Sequence, residues 1–423
     1  MSNSHAFSEH NQIQVNNEQI DIAASPHAPY ATTLTFPDEL HASSRDQMFR
    51  LVVTTADAKV SVPTFPSLEC LDVLIKVGIA KRLETDAWIH PYTFSSEHTR
   101  PELLIALVAA GCVCFGVPAV NRTGLVLLEI ARVALNKLIE EDNSTIRDLQ
   151  YLQASMIWLD VCGFCGHKRK MEIAESNLQP LVTALRRFGK FDRAAYETIA
   201  PTSSDTPEEI ESKWRRWVHV ESYKRLVHHL FEHDMLMAMA KHRQPLVSYA
   251  ELSLPLPASR SLWLAPSSEM WHKLFVESSD LAQHDHRSVR SMLADQKPLA
   301  CLPGMVDHGL ATTMYLYGIS AQTWEYNQQS ILMAVGNDDD ASIRLWMQSR
   351  HQSLYGKLKG LAINLESSAA TAHLTYQYQM MSLHVNVDTV IRFAGKCGEA
   401  EAHSAYQDLR QWSVEKSARI AIW

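Results

Sequence analysis

Apolar residues recur at helical spacing over most of the chain. From Trp214 onward, Trp214, Trp217, Val220, Val227, Leu230, Phe231 and Met237 fall mostly at three- and four-residue steps, with charged residues between them. That period predicts one long helix. Glu221 precedes Lys224 and Arg225 by three and four residues, so it can pair with either on the helix surface. The stretch after Pro245, with Pro255 and Pro257, cannot continue the helix, because proline lacks the N–H and biases its predecessor toward extended backbone. Upstream, Leu68, Leu71, Leu74 and Ile75 predict a helix with Ser67 as N-cap. Leu127, Leu128, Ile130, Ala131, Ala134, Leu135 and Leu138 predict another over 123–138, followed by a break and capping signal at Asp142-Asn143-Ser144. The next helix runs through Asp148-Leu149-Gln150 and Gln153-Ala154. One more starts at Lys168-Arg169-Lys170, and a following one ends at Arg186-Arg187 and Lys190, where positive charge suits the helix dipole. Beyond Trp271, segments 279–294, 309–333, 343–365, 374–393 and 399–423 are helical, punctuated by Pro298, Pro303 and an acidic turn at 337–340. Strand alternation, hairpin dipeptides and a Gly-rich phosphate loop are lacking. The expected fold is all-α, a multi-helix array of packed antiparallel helices forming one domain over 45–423. Residues 1–44, rich in Asn, Ser, His and Gln and without Lys or Arg, read as a disordered polar tail.

One run raises a different class. Leu103 to Val120 holds 18 residues without a charge, the lower length for a membrane span. Gly111, Gly116 and Pro118 interrupt it, which predicts a buried core helix ending near Gly111 or Gly116, and no membrane. The remaining composition, 46% hydrophobic and 20% charged, is that of a globular protein. A net charge of −8 argues against a nucleic-acid-binding surface over the whole chain. The basic residues from Lys168 to Arg225 read as solvated helix faces. Seven scattered cysteines read as free thiols in a reducing compartment.

Candidate chemistry is sparse. Cys162-Gly163-Phe164-Cys165 has a nearby His167, but lacks a second ligand pair at finger distance and closes a helix rather than opening one. His229 and His233 share a helix face, yet the zincin pattern requires Glu directly after the first His, and Leu230 stands there. His284-Asp285-His286 reads as exposed. Asp234, among apolar neighbours, requires a buried cationic or hydrogen-bonding partner, an arginine such as Arg225, in preference to a role as catalytic acid. No Gly-x-Ser-x-Gly or triad appears, so catalytic residues stay unknown, and no cofactor or metal is expected.

Several stretches carry a resemblance. Trp214-x-x-Trp217 precedes Glu221-Ser222-x-x-Arg225-Leu226-Val227, then Phe231-x-x-Asp234, Glu251-Leu252, Leu254-Pro255-x-Pro257 and Leu262-Trp263-x-Ala265. His90-Pro91-x-x-Phe94 lies upstream, before the Gly-interrupted apolar run. The chain from about Arg45 to Trp423 resembles the regulatory (middle homology) domain of fungal-specific transcription factors, of the type that follows Cys2His2 zinc fingers. The resemblance makes His90, Pro91, Phe94, Trp214, Trp217, Glu221, Arg225, Asp234 and Trp263 the family-motif positions. His90 on its own reads as a packed loop histidine bonded to backbone. Relatives carry zinc fingers upstream and further helix after an Ala-Arg-x-Ala-x-Trp segment. Here the first cysteine is Cys70 and the sequence stops at Trp423, so the resemblance implies a domain shortened at both ends. It implies a nuclear regulator of a secondary-metabolite pathway that takes DNA binding from a protein partner and holds a small hydrophobic ligand, without direct sequence-specific DNA contact. The alternative is a cytoplasmic pathway enzyme, an isomerase or cyclase acting on a hydrophobic substrate, recruited from the same scaffold. A remnant that competes for a partner is the third reading.

Overall fold

Ser67 begins a helix as its spacing predicts, its hydroxyl accepting from Cys70 N–H at 3.3 Å. Asp148 does the same for the helix that follows it, accepting from Tyr151 N–H at 3.0 Å. A computed structural model describes residues 36–56, 65–202, 204–279, 287–295, 299, 302–335, 341–365 and 370–422. The tail up to residue 35, His284-Asp285-His286, Pro298, Cys301, the turn at 337–340 and Trp423 lie outside the described residues. The described residues form 16 α-helices and no strand, so the protein is all-α. They divide into two compact units.

The first unit comprises residues up to Leu230 and Ala258–Ala282. Its helices are α1 (Ala42–Thr55), α2 (Leu68–Leu83), α3 (Pro101–Cys114), α4 (Pro118–Glu141), α5 (Leu149–Phe164), α6 (Lys168–Arg187), α7 (Pro207–Lys241, as far as Leu230), α8 (Arg260–Trp263) and α9 (Ser268–Ser279). The apolar run at 103–120 is two helices. Residues Glu102 to Cys112 of α3 are all buried, and α1, α2, α4 and α5 pack around them. A helix apolar on every side belongs in a core, and each buried Leu, Ile or Val there contributes roughly 1.5–3 kcal/mol. Gly116 at φ 68° ends the run, and Pro118 starts α4 at a position that needs no N–H. No described helix is long and apolar enough to cross a membrane.

Glycines set how closely these helices meet. A Cβ on Gly78 of α2 would lie 2.4 Å from the Leu107 carbonyl oxygen, and one on Gly111 of α3 would lie 2.1 Å from that of Leu74. Both obstacles are backbone, so neither can move aside alone. Gly111→Ala is expected to destabilise by about 1–3 kcal/mol through forced separation of α2 and α3. A lowered urea midpoint with unchanged slope would register it.

The spacing predicts two helices between Lys168 and Lys190, but α6 is continuous to Arg187 with Pro180 inside it. Pro180 lies on the exposed side of the helix, away from the core. Asp142 caps the short 3₁₀ turn Asn143–Arg147 by accepting from Ser144 N–H at 2.9 Å.

The second unit comprises Phe231–Pro257 and residues from Gln283 onward. It holds the last turns of α7, then α10 (Val289–Ala294), α11 (His308–Val335), α12 (Ala341–Leu361), α13 (Ala370–Ser382), α14 (Val387–Phe393), α15 (Glu399–Trp412) and α16 (Lys416–Ile422). Helix α11 is its axis, burying Ala311, Met314, Leu316, Tyr317 and Ile319 against α10, α12 and α13. The Pro-rich stretch is extended as expected, and Leu252, Leu254 and Leu256 are buried at alternate positions. Two of the C-terminal segments differ from the expectation. The 374–393 segment breaks at 383–386, where Asn386 accepts from Asp388 N–H at 3.0 Å and starts α14. The 399–423 segment breaks at Ser413–Glu415, between α15 and α16.

Candidate functional site

His90, Trp214, Trp217, Glu221, Arg225 and Trp263 of the first unit meet in one buried network. Arg225 of α7 exposes 1% of its surface and donates to the carbonyl oxygens of Asp86 at 2.7 Å and Ala258 at 2.6 Å. Its guanidinium lies 4.9 Å from the Trp263 ring centre and forms an ion pair with Glu221 at 3.3 Å. The period allows Glu221 either basic partner. It takes both, with Lys224 Nζ at 2.6 Å, and also accepts from Ala258 N–H at 2.7 Å. One helical turn thus fastens the loop after Leu83 and the entry to α8. A planar guanidinium can reach two carbonyls and stack at once, which a lysine cannot.

Trp263 closes the network by donating its indole N–H to the Ala87 carbonyl at 2.5 Å. Ala87 itself has φ 53°, a left-handed conformation that costs an L-residue roughly 1–2 kcal/mol. Arg225 and Trp263 hold the carbonyls on the two sides of that bend.

His90 lies in the same aromatic nest, with Trp263, Trp214 and Tyr92 edge-on to its ring at 4.7, 5.8 and 6.0 Å. Its Nδ1 accepts from Thr93 N–H at 3.1 Å, the backbone bond expected of a loop histidine. Burial pushes its pKa down to about 3, so the ring is neutral. Pro91 is buried beside it, and Phe94 lies half-buried on the Leu40–Ile75 side of the unit. Trp217 packs on Trp263 and Trp271 at 6.1 and 5.6 Å.

Sequence reading missed Asp86 and Asp160. His229 of α7 places Nδ1 2.5 Å from Asp86 and Nε2 2.9 Å from Asp160, and stacks on Trp88 with centroids 5.0 Å apart. Burial alone would lower its pKa, but the Asp160 and Asp86 carboxylates outweigh that and hold it well above the ordinary value. It is an imidazolium between two carboxylates. Asp160 within Trp158-Leu159-Asp160-Val161-Cys162 was the available signal, since an acid inside an apolar helix needs a partner.

Cys162 is buried and Cys165 closes α5, where Gly166 at φ 79° turns the chain. Burial pushes the Cys162 thiol up to about 12, the opposite of a redox-active cysteine.

In the second unit, Asp234 pairs with Arg243 at 3.1 Å rather than with Arg225. Residues 225 and 234 are nine apart, about two and a half turns, so they leave α7 on opposite sides. Asp234 also accepts from the backbone N–H groups of Leu246 at 2.6 Å and Val247 at 2.8 Å. It therefore pins the Pro245 turn to the helix end. An amide nitrogen cannot accept, so Asp234→Asn is expected to cost about 1.5–3 kcal/mol. Hydrogen exchange at Leu246 and Val247 would quicken with it.

This unit also holds a partly open cavity of about 310 Å³, bounded by Met239, His242, Trp324, Tyr378 and His384. That is the small end of the roughly 300–1,000 Å³ range of ligand pockets.

The fungal-specific transcription factor domain profile matches residues 88–330. Transcription factor 1 of Elsinoe fawcettii is 28% identical over 195 residues, which is 46% of this chain and 20% of that protein. Transcription factor PfmaH of Pestalotiopsis fici is 24% identical over 169 residues, 40% of this chain and 17% of the relative. Zinc finger protein C11D3.17 of Schizosaccharomyces pombe is 23% identical over 262 residues, 59% of this chain and 42% of the relative. The matched stretch thus spans about a fifth of the first two relatives. No solved structure matches significantly. The Trp214–Trp217, Glu221–Arg225, Asp234 and Trp263 positions all fall inside the matched range, and the chain belongs to the fungal-specific transcription factor domain family.

Proposed function

We propose that the protein is a transcriptional regulator whose helical domain receives a small-molecule signal and works in the nucleus with a protein partner that contacts DNA. Its targets are the genes of a biosynthetic pathway. The observation that carries this reading is the family match over residues 88–330, reinforced by relatives named as transcription factors. The net charge of −8 agrees with DNA contact made by another surface than this one. The Glu221–Arg225 and Trp263 contacts support a rigid frame rather than a reaction centre, since their hydrogen bonds go mainly to each other and to backbone.

A direct test fuses the full chain to an unrelated DNA-binding domain above a reporter gene in a fungal host. A reporter response of at least about fivefold over the DNA-binding domain alone is expected, with the fusion in the nucleus. An inert fusion of normal abundance would contradict the proposal. The cavity favours one second reading, a pathway enzyme acting on a hydrophobic substrate, and in that case the reporter stays silent while a metabolite is lost on deletion.

A further inference from the structure

Helix α12 is anchored by one side only. Leu354, Leu358 and Leu361, at three- and four-residue steps, are its buried face, and α11 packs with it. The opposite stripe runs through Leu345, Ser349, Gln352, Gly356 and Gly360, also at three- and four-residue steps, and all five are exposed. From Leu345 to Gly356 no exposed residue of α12 carries a charge. The outer face of a surface helix is ordinarily charged or strongly polar, so this one lacks the usual mark of a face kept in water.

The two ends of the stripe differ in bulk. At the N-terminal end Leu345 is 68% and Trp346 51% exposed, and Leu332 and Met333, in the last turn of α11, are 69% and 43% exposed. Single exposed apolar residues are ordinary, but four at the end of one helix and the start of its packed neighbour form a patch. At the C-terminal end stand Gly356 and Gly360. A Cβ on either would meet nothing within 4 Å among the described residues, unlike Gly78 and Gly111, whose missing side chains let α2 and α3 meet. Glycine is a poor residue in mid-helix, second only to proline. No described residue uses the space that these two leave, whereas a second helix lying close against them would.

One occupant fits both ends, a second copy of α12. In an antiparallel pair with its two-fold axis at Gln352, Leu345 of each copy falls between Gly356 and Gly360 of the other. The bulky end of each helix thus fills the hollow end of its mate, twice over. A two-fold contact also sets residues at the axis against their own images, and the stripe carries no charge there to repel itself. Lys359, beside the hollow end, falls opposite Leu345, where its stem covers the apolar side chain and its ammonium stays in water. A face about 30 Å long and about 10 Å wide offers less than the roughly 800 Å² per partner of a standard interface, which places the pairing in the transient class, with a dissociation constant of about micromolar order.

We propose that α12 is a homodimerisation surface, pairing antiparallel with α12 of a second copy through Leu345, Gln352, Gly356 and Gly360. This pairing goes beyond the regulatory reading and does not depend on it, since it is measured on the purified chain.

The test is sedimentation velocity of the full chain over about 1 to 100 μM. The average mass should climb from one chain toward two across that range. Gln352→Lys and Gln352→Glu each set like charges face to face at the axis, and each alone should weaken the dimer by at least about tenfold. An equal mixture of the two variants should restore it, because lysine then meets glutamate. Gly356→Leu fills the hollow and should weaken the dimer by a similar factor while raising the thermal midpoint of the monomer, since leucine is the better helix former. A chain that stays monomeric at the highest concentration, a dimer indifferent to Gln352→Lys and Gly356→Leu, or a lysine–glutamate mixture that stays monomeric would each overturn the proposal. If Gly356→Leu fails to fold, the charge-swapped pair still decides it.

Discussion

Arg225→Met removes the centre of the first unit's network and is expected to lower stability by about 3–5 kcal/mol, the range for breaking a buried ion pair from one side. The substitution leaves Glu221, exposed by 1%, with only Lys224 as a charged partner, and strips a donor from each of the carbonyls of Asp86 and Ala258. It also frees the left-handed bend at Ala87 on one side. Methionine restores apolar volume but none of these bonds. Urea unfolding followed by far-UV circular dichroism measures the loss, and Arg225→Lys should recover only part of it, because an ammonium lacks the planar fork. A midpoint shift worth less than about 1 kcal/mol for the methionine variant would mean that the network is incidental to the fold.

The second large effect concerns His229. Its folded pKa lies well above the ordinary 6.5. A group whose pKa rises on folding gives its full stabilisation below the unfolded pKa and loses it as pH climbs toward the folded one. Stability should therefore decline from about pH 6.5 upward, by as much as one proton's worth of slope, as the unfolded chain gives up the proton that the folded imidazolium between Asp86 and Asp160 keeps. His229→Phe keeps the stacking on Trp88 but leaves two carboxylates facing each other without the cation. It should destabilise by about 3–5 kcal/mol near neutral pH and remove that part of the slope. Thermal midpoints from pH 6 to 9, taken as wild type minus variant, isolate the histidine. A difference that stays constant across this range would refute the imidazolium assignment.

Much of this fold is legible in the order of residues. Apolar spacing marks α2, α4 and α7, and Ser67 and Asp142 announce their turns. The core role of α3 follows from Gly111, Gly116 and Pro118 breaking an otherwise apolar run. The two helices expected between Lys168 and Lys190 are one, because a proline on a solvent-facing helix side loses one bond without a clash in the core. The site is less legible. Glu221 and Arg225 are one turn apart, so their pairing is local and readable. Asp86 and Asp160 meet His229 across 143 and 69 residues, and no periodicity encodes such contacts. Asp234 demands a buried partner, yet the choice between Arg225 and Arg243 depends on which side of α7 each residue leaves. The cavity is built from α7, α11, α13 and the 383–387 segment, so its shape appears only when those elements pack.

The role proposed for this member of the fungal-specific transcription factor domain family is gene regulation. The most direct measurement is transcript abundance of the genes neighbouring its own in a deletion strain, with the intact gene restored as control. Those transcripts should fall or rise together by several-fold and return on complementation. Level transcripts alongside a vanished metabolite would contradict it.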